Sequence, residues 1–105
     1  MTDTAQSETP LYLQAIALKL CVDVTYNRQR MRLAPHVLYN RNDALYLEAV
    51  TMLRDGERPR EDKVGAFHLG GLKDPAITDQ SFERHPLYEP EALRYEQGKL
   101  FEVEG

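Results

Sequence analysis

Tryptophan is absent from this sequence, and cysteine occurs once, at Cys21. A lone cysteine excludes an internal disulfide and fits a reducing compartment. No apolar run approaches the ~20 residues that a spanning helix needs, and the N-terminus carries no signal-peptide pattern. The expectation is a cytoplasmic protein with no membrane contact. Positive charge is in short supply: 13 Lys and Arg face 17 Asp and Glu, for a net charge of −4. That balance disfavours non-specific binding to nucleic acid. Three histidines, His36, His68 and His85, are too scattered for a metal-ligand spacing. No nucleophile–base pair, phosphate-cradling loop or metal motif is present. The chain therefore reads as a non-enzyme without cofactor or metal.

What is present is a single domain's worth of chain, 105 residues. It supports one small core, so a ligand site is expected as a surface groove, not an internal cavity. Two apolar-rich runs, residues 31–39 and 44–52, flank Asn40-Arg41-Asn42-Asp43. The spacer is rich in turn formers, so the runs read as neighbouring antiparallel strands. In the second run Leu45, Leu47 and Ala49 alternate with Tyr46, Glu48 and Val50, which is the period of a strand.

Residues 1–9 are polar and read as a disordered N-terminus. Thr9 and Pro10 suit the N-cap and first position of a short helix over residues 10–18. From Leu20 the period becomes two, with Val22, Val24 and Tyr26 on one face and Cys21, Asp23 and Thr25 on a solvated one. Asn27-Arg28-Gln29-Arg30 turns the chain. The returning strand is expected to place Met31, Leu33, Pro35 and Val37 on one face, and Arg30, Arg32, Ala34 and His36 on the other. Pro35 marks an edge, a bulge or a bend, since it cannot donate in a ladder. Residues 53–62 form a charged, exposed and mobile loop. Two further short strands follow over residues 63–69 and 72–78. The last part, residues 79–105, is a C-terminal extension in which Phe82, Leu87, Tyr88 and Leu93 are apolar enough to dock, with a short helix expected over 90–97. The fold class expected is mainly β with short flanking helices, residues 10–78 forming a small Sm-like or SH3-like five-stranded barrel. An open α+β sheet is the alternative.

Taken together, the pieces resemble the WYL domain of bacterial transcription factors and CRISPR-associated regulators, over roughly residues 11–82. They are Gln14-Ala15-Ile16, Val24-Thr25-Tyr26, Arg32-Leu33-Ala34-Pro35-His36-Val37-Leu38, Leu45-Tyr46-Leu47-Glu48-Ala49 and Ala66-Phe67-His68-Leu69-Gly70-Gly71-Leu72. The resemblance implies an Sm-like barrel that senses a negatively charged ligand, such as a nucleotide, a cyclic dinucleotide or single-stranded nucleic acid. It also implies a role in transcription regulation. About 20 residues precede the first strand, too few for the helix-turn-helix that usually precedes this domain, so a stand-alone module is expected. The sequence departs from the family at Leu45, where Trp is usual, and at Gly71, where a ligand-binding Arg is usual. A glycine cannot supply the bidentate phosphate contact of a guanidinium.

The residues carrying a ligand site on this reading are Arg28, Arg30 and Arg32 for phosphate, Tyr46 for stacking and His68 as a second polar contact. The plainer reading of the arginines is a solvated strand face that resists edge pairing. The plainer reading of Tyr46 is a packed ring with a wetted hydroxyl. The carboxylates Asp55, Glu57, Glu61 and Asp62 read as solvation of a loop. The second functional reading is an interaction protein whose ligand site has decayed, acting as a homodimer or with a protein partner.

Overall fold

The computed structural model describes residues 4–105, with side chains described from residue 8 onward. The expectation of disorder at the N-terminus falls, for residues 1–3, outside the described residues. From Thr4 the chain is helical: α1 spans Thr4–Leu18, starting before the expected Pro10. Pro10 therefore lies inside the helix and, lacking an N–H, leaves the carbonyl of residue 6 without its helical partner. Tyr12, Ala15 and Ile16 are buried, the i, i+3, i+4 spacing of one helix face. Lys19, at φ 56, ends the helix in the left-handed region.

The chain then runs through β1 (Leu20–Tyr26), β2 (Gln29–Arg41) and β3 (Ala44–Arg54) as a meander. Both connections are two-residue turns with positive φ at both positions: Asn27-Arg28 at 50° and 65°, and Asn42-Asp43 at 51° and 64°. That geometry is the type I′ turn, whose twist matches the flanking strands. The turns are thus two residues shorter than the expected four-residue spacers. After β3 come β4 (Val64–His68), a 3-10 turn at Leu69–Gly71, β5 (Lys73–Ser81), a second 3-10 turn at Leu93–Tyr95 and β6 (Lys99–Glu102).

The sheet is antiparallel, in the order β4-β3-β2-β1-β5, and β6 pairs with β2. The long β2 serves two neighbours in succession. Its first half pairs with β1, ending at Val22↔Leu33; its second half pairs with β6 at Val37↔Glu102 and Leu38↔Phe101. β4 and β5 are both edges, so the sheet is open and not the closed five-stranded barrel expected. Near the start of β5, Asp74 has φ 48 and is followed by Pro75, which cannot donate a ladder hydrogen bond.

Between Pro35 and Val37 the β2–β3 register shifts, leaving His36 as the extra residue of a bulge. Val37 consequently lies opposite Glu48 and not on the Leu33 face where alternation placed it. One face carries Val22, Val24, Leu33, Leu38, Leu47 and Phe67, all buried. These pack with Tyr12 and Ile16 in a single core, and Leu45 lies against it partly buried.

The second face is also covered, contrary to the expectation that it is solvated. Cys21, Ala34, His36 and Glu48 are at most 2 % exposed. The cover is the C-terminal extension. Phe82, Tyr88, Tyr95 and Val103 are buried, whereas Leu87 and Leu93 point to solvent. The helix expected over 90–97 is reduced to the 3-10 turn at Leu93–Tyr95. A segment of eight residues is too short to hold an α-helix alone, and here it is shaped by docking: Asn40 N–H donates to Gly98 O at 2.8 Å, and Val103 N–H to His36 O at 2.7 Å.

Candidate functional site

Arg28 projects from the β1–β2 turn and is exposed. Arg30 is exposed too, but its guanidinium donates to Thr25 Oγ1 at 3.1 Å and to Asp74 O at 3.0 Å. Arg32 is committed further. Its Nε and Nη2 donate to the two carboxylate oxygens of Asp23 at 2.7 and 3.0 Å, and Nη1 donates to Gln80 Oε1 at 2.8 Å. The Asp23 hydrogen bond raises the Arg32 pKa above its ordinary value, and the pair leaves little net charge for a phosphate.

Tyr46 and His68 meet as a cross-strand pair, with ring centroids 5.3 Å apart and nearly perpendicular. Arg41 sits 5.6 Å over the Tyr46 ring, and His68 Nδ1 accepts from Gly70 N at 3.1 Å, capping the 3-10 turn. The arginines and Tyr46 do not converge. Arg32 lies opposite Leu53 on β3, so Tyr46 is seven residues along that strand, up to about 23 Å away at ~3.3 Å per residue.

The structure instead gathers cations around the β3–β4 loop. A pocket of about 500 Å³ is lined by Thr51, Arg54, Pro59, Arg60, Glu61 and Lys63. Among the described residues, the side chains of Arg54, Arg60 and Lys63 make no hydrogen bond, ion pair or ring contact. Arg32, Arg41, Arg84, Arg94 and Lys99 are each engaged elsewhere. The loop is exposed, as expected, yet it is tied at two points. Asp55 N–H donates to Arg30 O at 2.8 Å, and Arg30 N–H returns to Asp55 Oδ1 at 3.3 Å. Farther along, Asp62 Oδ2 lies 3.1 Å from His85 Nε2. Asp55 and Asp62 thus have partners outside the pocket, so Glu61 is the acidic group on a wall that holds three cations.

His85 belongs to the clasp that holds the extension down. His36 is fully buried and uses both ring nitrogens on backbone: Nδ1 lies 2.8 Å from Ala34 O, and Nε2 accepts from His85 N at 2.9 Å. This pattern requires a neutral ring with its proton on Nδ1. Burial lowers its pKa, and Arg84 and His85 push the same way against the Ala34 hydrogen bond. Nearby, the buried carboxylate of Glu48 accepts from Tyr39 Oη at 2.9 Å and faces Arg94 Nε at 3.3 Å. Burial and the Glu48 charge push the Tyr95 phenol up to about 12.

Reading the residues one by one missed Arg54, Arg60 and Lys63. The signal was there in Arg54, Arg58, Arg60 and Lys63 on one loop, but equal numbers of acids concealed it. For the roles of His36 and Glu48 the sequence carried no signal. Among the described residues, no group of three or more His, Cys, Asp or Glu is placed to hold a metal ion, and no helix is long and apolar enough to cross a membrane. Compared with known protein families, curated proteins and solved structures, the chain matches none.

Proposed function

We propose that the chain is a WYL-like regulatory binding module for a phosphate-bearing anion, a class that covers nucleotides and single-stranded nucleic acid. The observation that carries the reading is the pocket of about 500 Å³ walled by the unpaired Arg54, Arg60 and Lys63. Its size falls within the ~300–1,000 Å³ of small-molecule sites. Cations in a concave site that have no protein partner need break no ion pair to meet an anion. The resemblance to WYL domains supports the same ligand class, with the cations supplied by the β3–β4 loop in place of Gly71.

The test is a titration of labelled nucleotides and oligonucleotides, first at low salt and then at about 0.15 M, where charges beyond ~8 Å are screened. Binding that weakens with salt and is lost in the Arg60→Ala, Lys63→Ala double variant is expected. Absence of binding at high micromolar protein refutes the reading. It would then favour an interaction module, for which the exposed Leu87, Leu93, Leu100 and Phe101 of the C-terminal extension speak.

A further inference from the structure

Granting the anion-binding reading on which it rests, we infer that the Arg54–Arg60–Lys63 pocket takes a compact pyrophosphate group, as in a nucleoside diphosphate, and not a nucleic-acid strand. Three features of the site lead there. The first is the lining: Thr51, Pro59, three cations and Glu61, with no aromatic ring. A nucleobase has nothing to stack on in this pocket, so recognition falls on the phosphates.

The second is the outline of the positive charge. A single strand needs a cationic track several nucleotides long, with aromatic rings interleaved. Here the cations occupy one short stretch of chain, residues 54–63, with acids interleaved among them. Glu61 is on the pocket wall, Glu57 lines the neighbouring pocket with Arg54 and Arg58, and Asp62 lies beyond it with its carboxylate turned to His85. The cations thus form a compact cluster over the two adjoining pockets and not a track several nucleotides long, which suits a small anion. With three cations and one acid, the wall carries a net positive charge, opposite in sign to a pyrophosphate group.

The third is the absence of a continuation toward the aromatic cluster. Arg32, opposite Leu53 at the loop end of β3, is closed by Asp23 and Gln80. Tyr46 is itself covered by Arg41 and flanked by Tyr39, 5.9 Å away.

The experiment is isothermal titration of the full chain at low ionic strength with sodium pyrophosphate, ADP, AMP and a thymidine 12-mer. Pyrophosphate and ADP are expected to bind within about threefold of each other, and AMP roughly tenfold more weakly, since one charge-assisted contact is lost. Arg60→Ala and Lys63→Ala should each weaken pyrophosphate binding about tenfold by the same reasoning. Tyr46→Ala and Arg32→Ala should leave it unchanged. All these residues except Arg32 and Tyr46 are exposed loop positions, so an unchanged melting temperature confirms that the loop variants are folded. An oligomer that binds while pyrophosphate does not overturns the inference and leaves the anion-binding reading standing. Loss of pyrophosphate binding in Tyr46→Ala, with folding intact, overturns it too. Failure of all four ligands removes both.

Discussion

His36→Phe is the substitution that most directly tests how the extension is held. An aromatic ring next to Phe82 and Tyr88, whose centroids lie 5.2 and 5.5 Å from that of His36, would be retained. What disappears is the pair of hydrogen bonds, depriving the buried Ala34 O and the half-buried His85 N–H of their His36 partners. Each unsatisfied buried group costs about 1–3 kcal/mol, so a loss of roughly 2–5 kcal/mol is expected at pH 7.5. The pH dependence carries the sharper information. Because the His36 pKa is lowered in the folded protein from its ordinary 6.5, the unfolded chain takes up the proton first. Its contribution is therefore complete above pH 6.5 and is lost as the pH falls from there to the lower, folded value, with a slope of at most about 1.4 kcal/mol per pH unit. Arg58, Asp62, Glu83 and His85 line the same pocket of about 130 Å³, and Arg84 acts on the ring from the tail. They are present in both proteins and cancel to first order in a difference. Urea unfolding of wild type and variant from pH 7.5 to 5 should show the gap between them narrowing with acid. A gap below about 0.5 kcal/mol at pH 7.5, the size of an ordinary surface substitution, would refute the clasp. A gap that does not change with pH would refute the neutral, buried ring.

Cys21 is fully buried, and burial pushes its thiol up to about 11, so Ellman's reagent at pH 8 should leave the native protein unmodified and label one thiol in urea. Glu48→Ala should destabilise by about 2–4 kcal/mol, because Tyr39 Oη loses its acceptor and a cavity is left; a urea midpoint within error of wild type would contradict this. Removal of residues 83–105 should abolish cooperative thermal unfolding, as it takes away β6 and uncovers Ala34, His36 and Glu48; a sharp melt followed by circular dichroism would show that the extension is dispensable.

The meander of β1, β2 and β3 was legible because its determinants are local. Alternation from Leu20 to Tyr26 and from Leu45 to Met52 sets the strand period, and the positions at Asn27, Asn42, Asp43 and Gly56 tolerate positive φ. The inward set of Val22, Val24, Leu47 and Phe67 follows from that period alone. Helix length was less legible, since Pro10 reads as a start in sequence yet lies within α1. The residues of the candidate pocket were not legible in the sequence. Alternation of Arg28, Arg30 and Arg32 says nothing of the carboxylate across the strand that closes Arg32, nor of the distance to Tyr46.

By itself, then, the sequence determined strands β1 to β5 and one buried face, but not β6. Which parts of the other face see water was decided only in three dimensions. Cys21, His36 and Glu48 sit at positions whose pattern says solvent, and they are buried because Phe82, Tyr88, Tyr95 and Val103 return over them from far along the chain. The bulge at His36 moves Val37 to that face as well. Periodicity reports how one segment is built; which face a distant segment covers depends on contacts that no local pattern encodes. The same holds for the loop cations, whose significance rests on which acids are drawn away to Arg30 and His85.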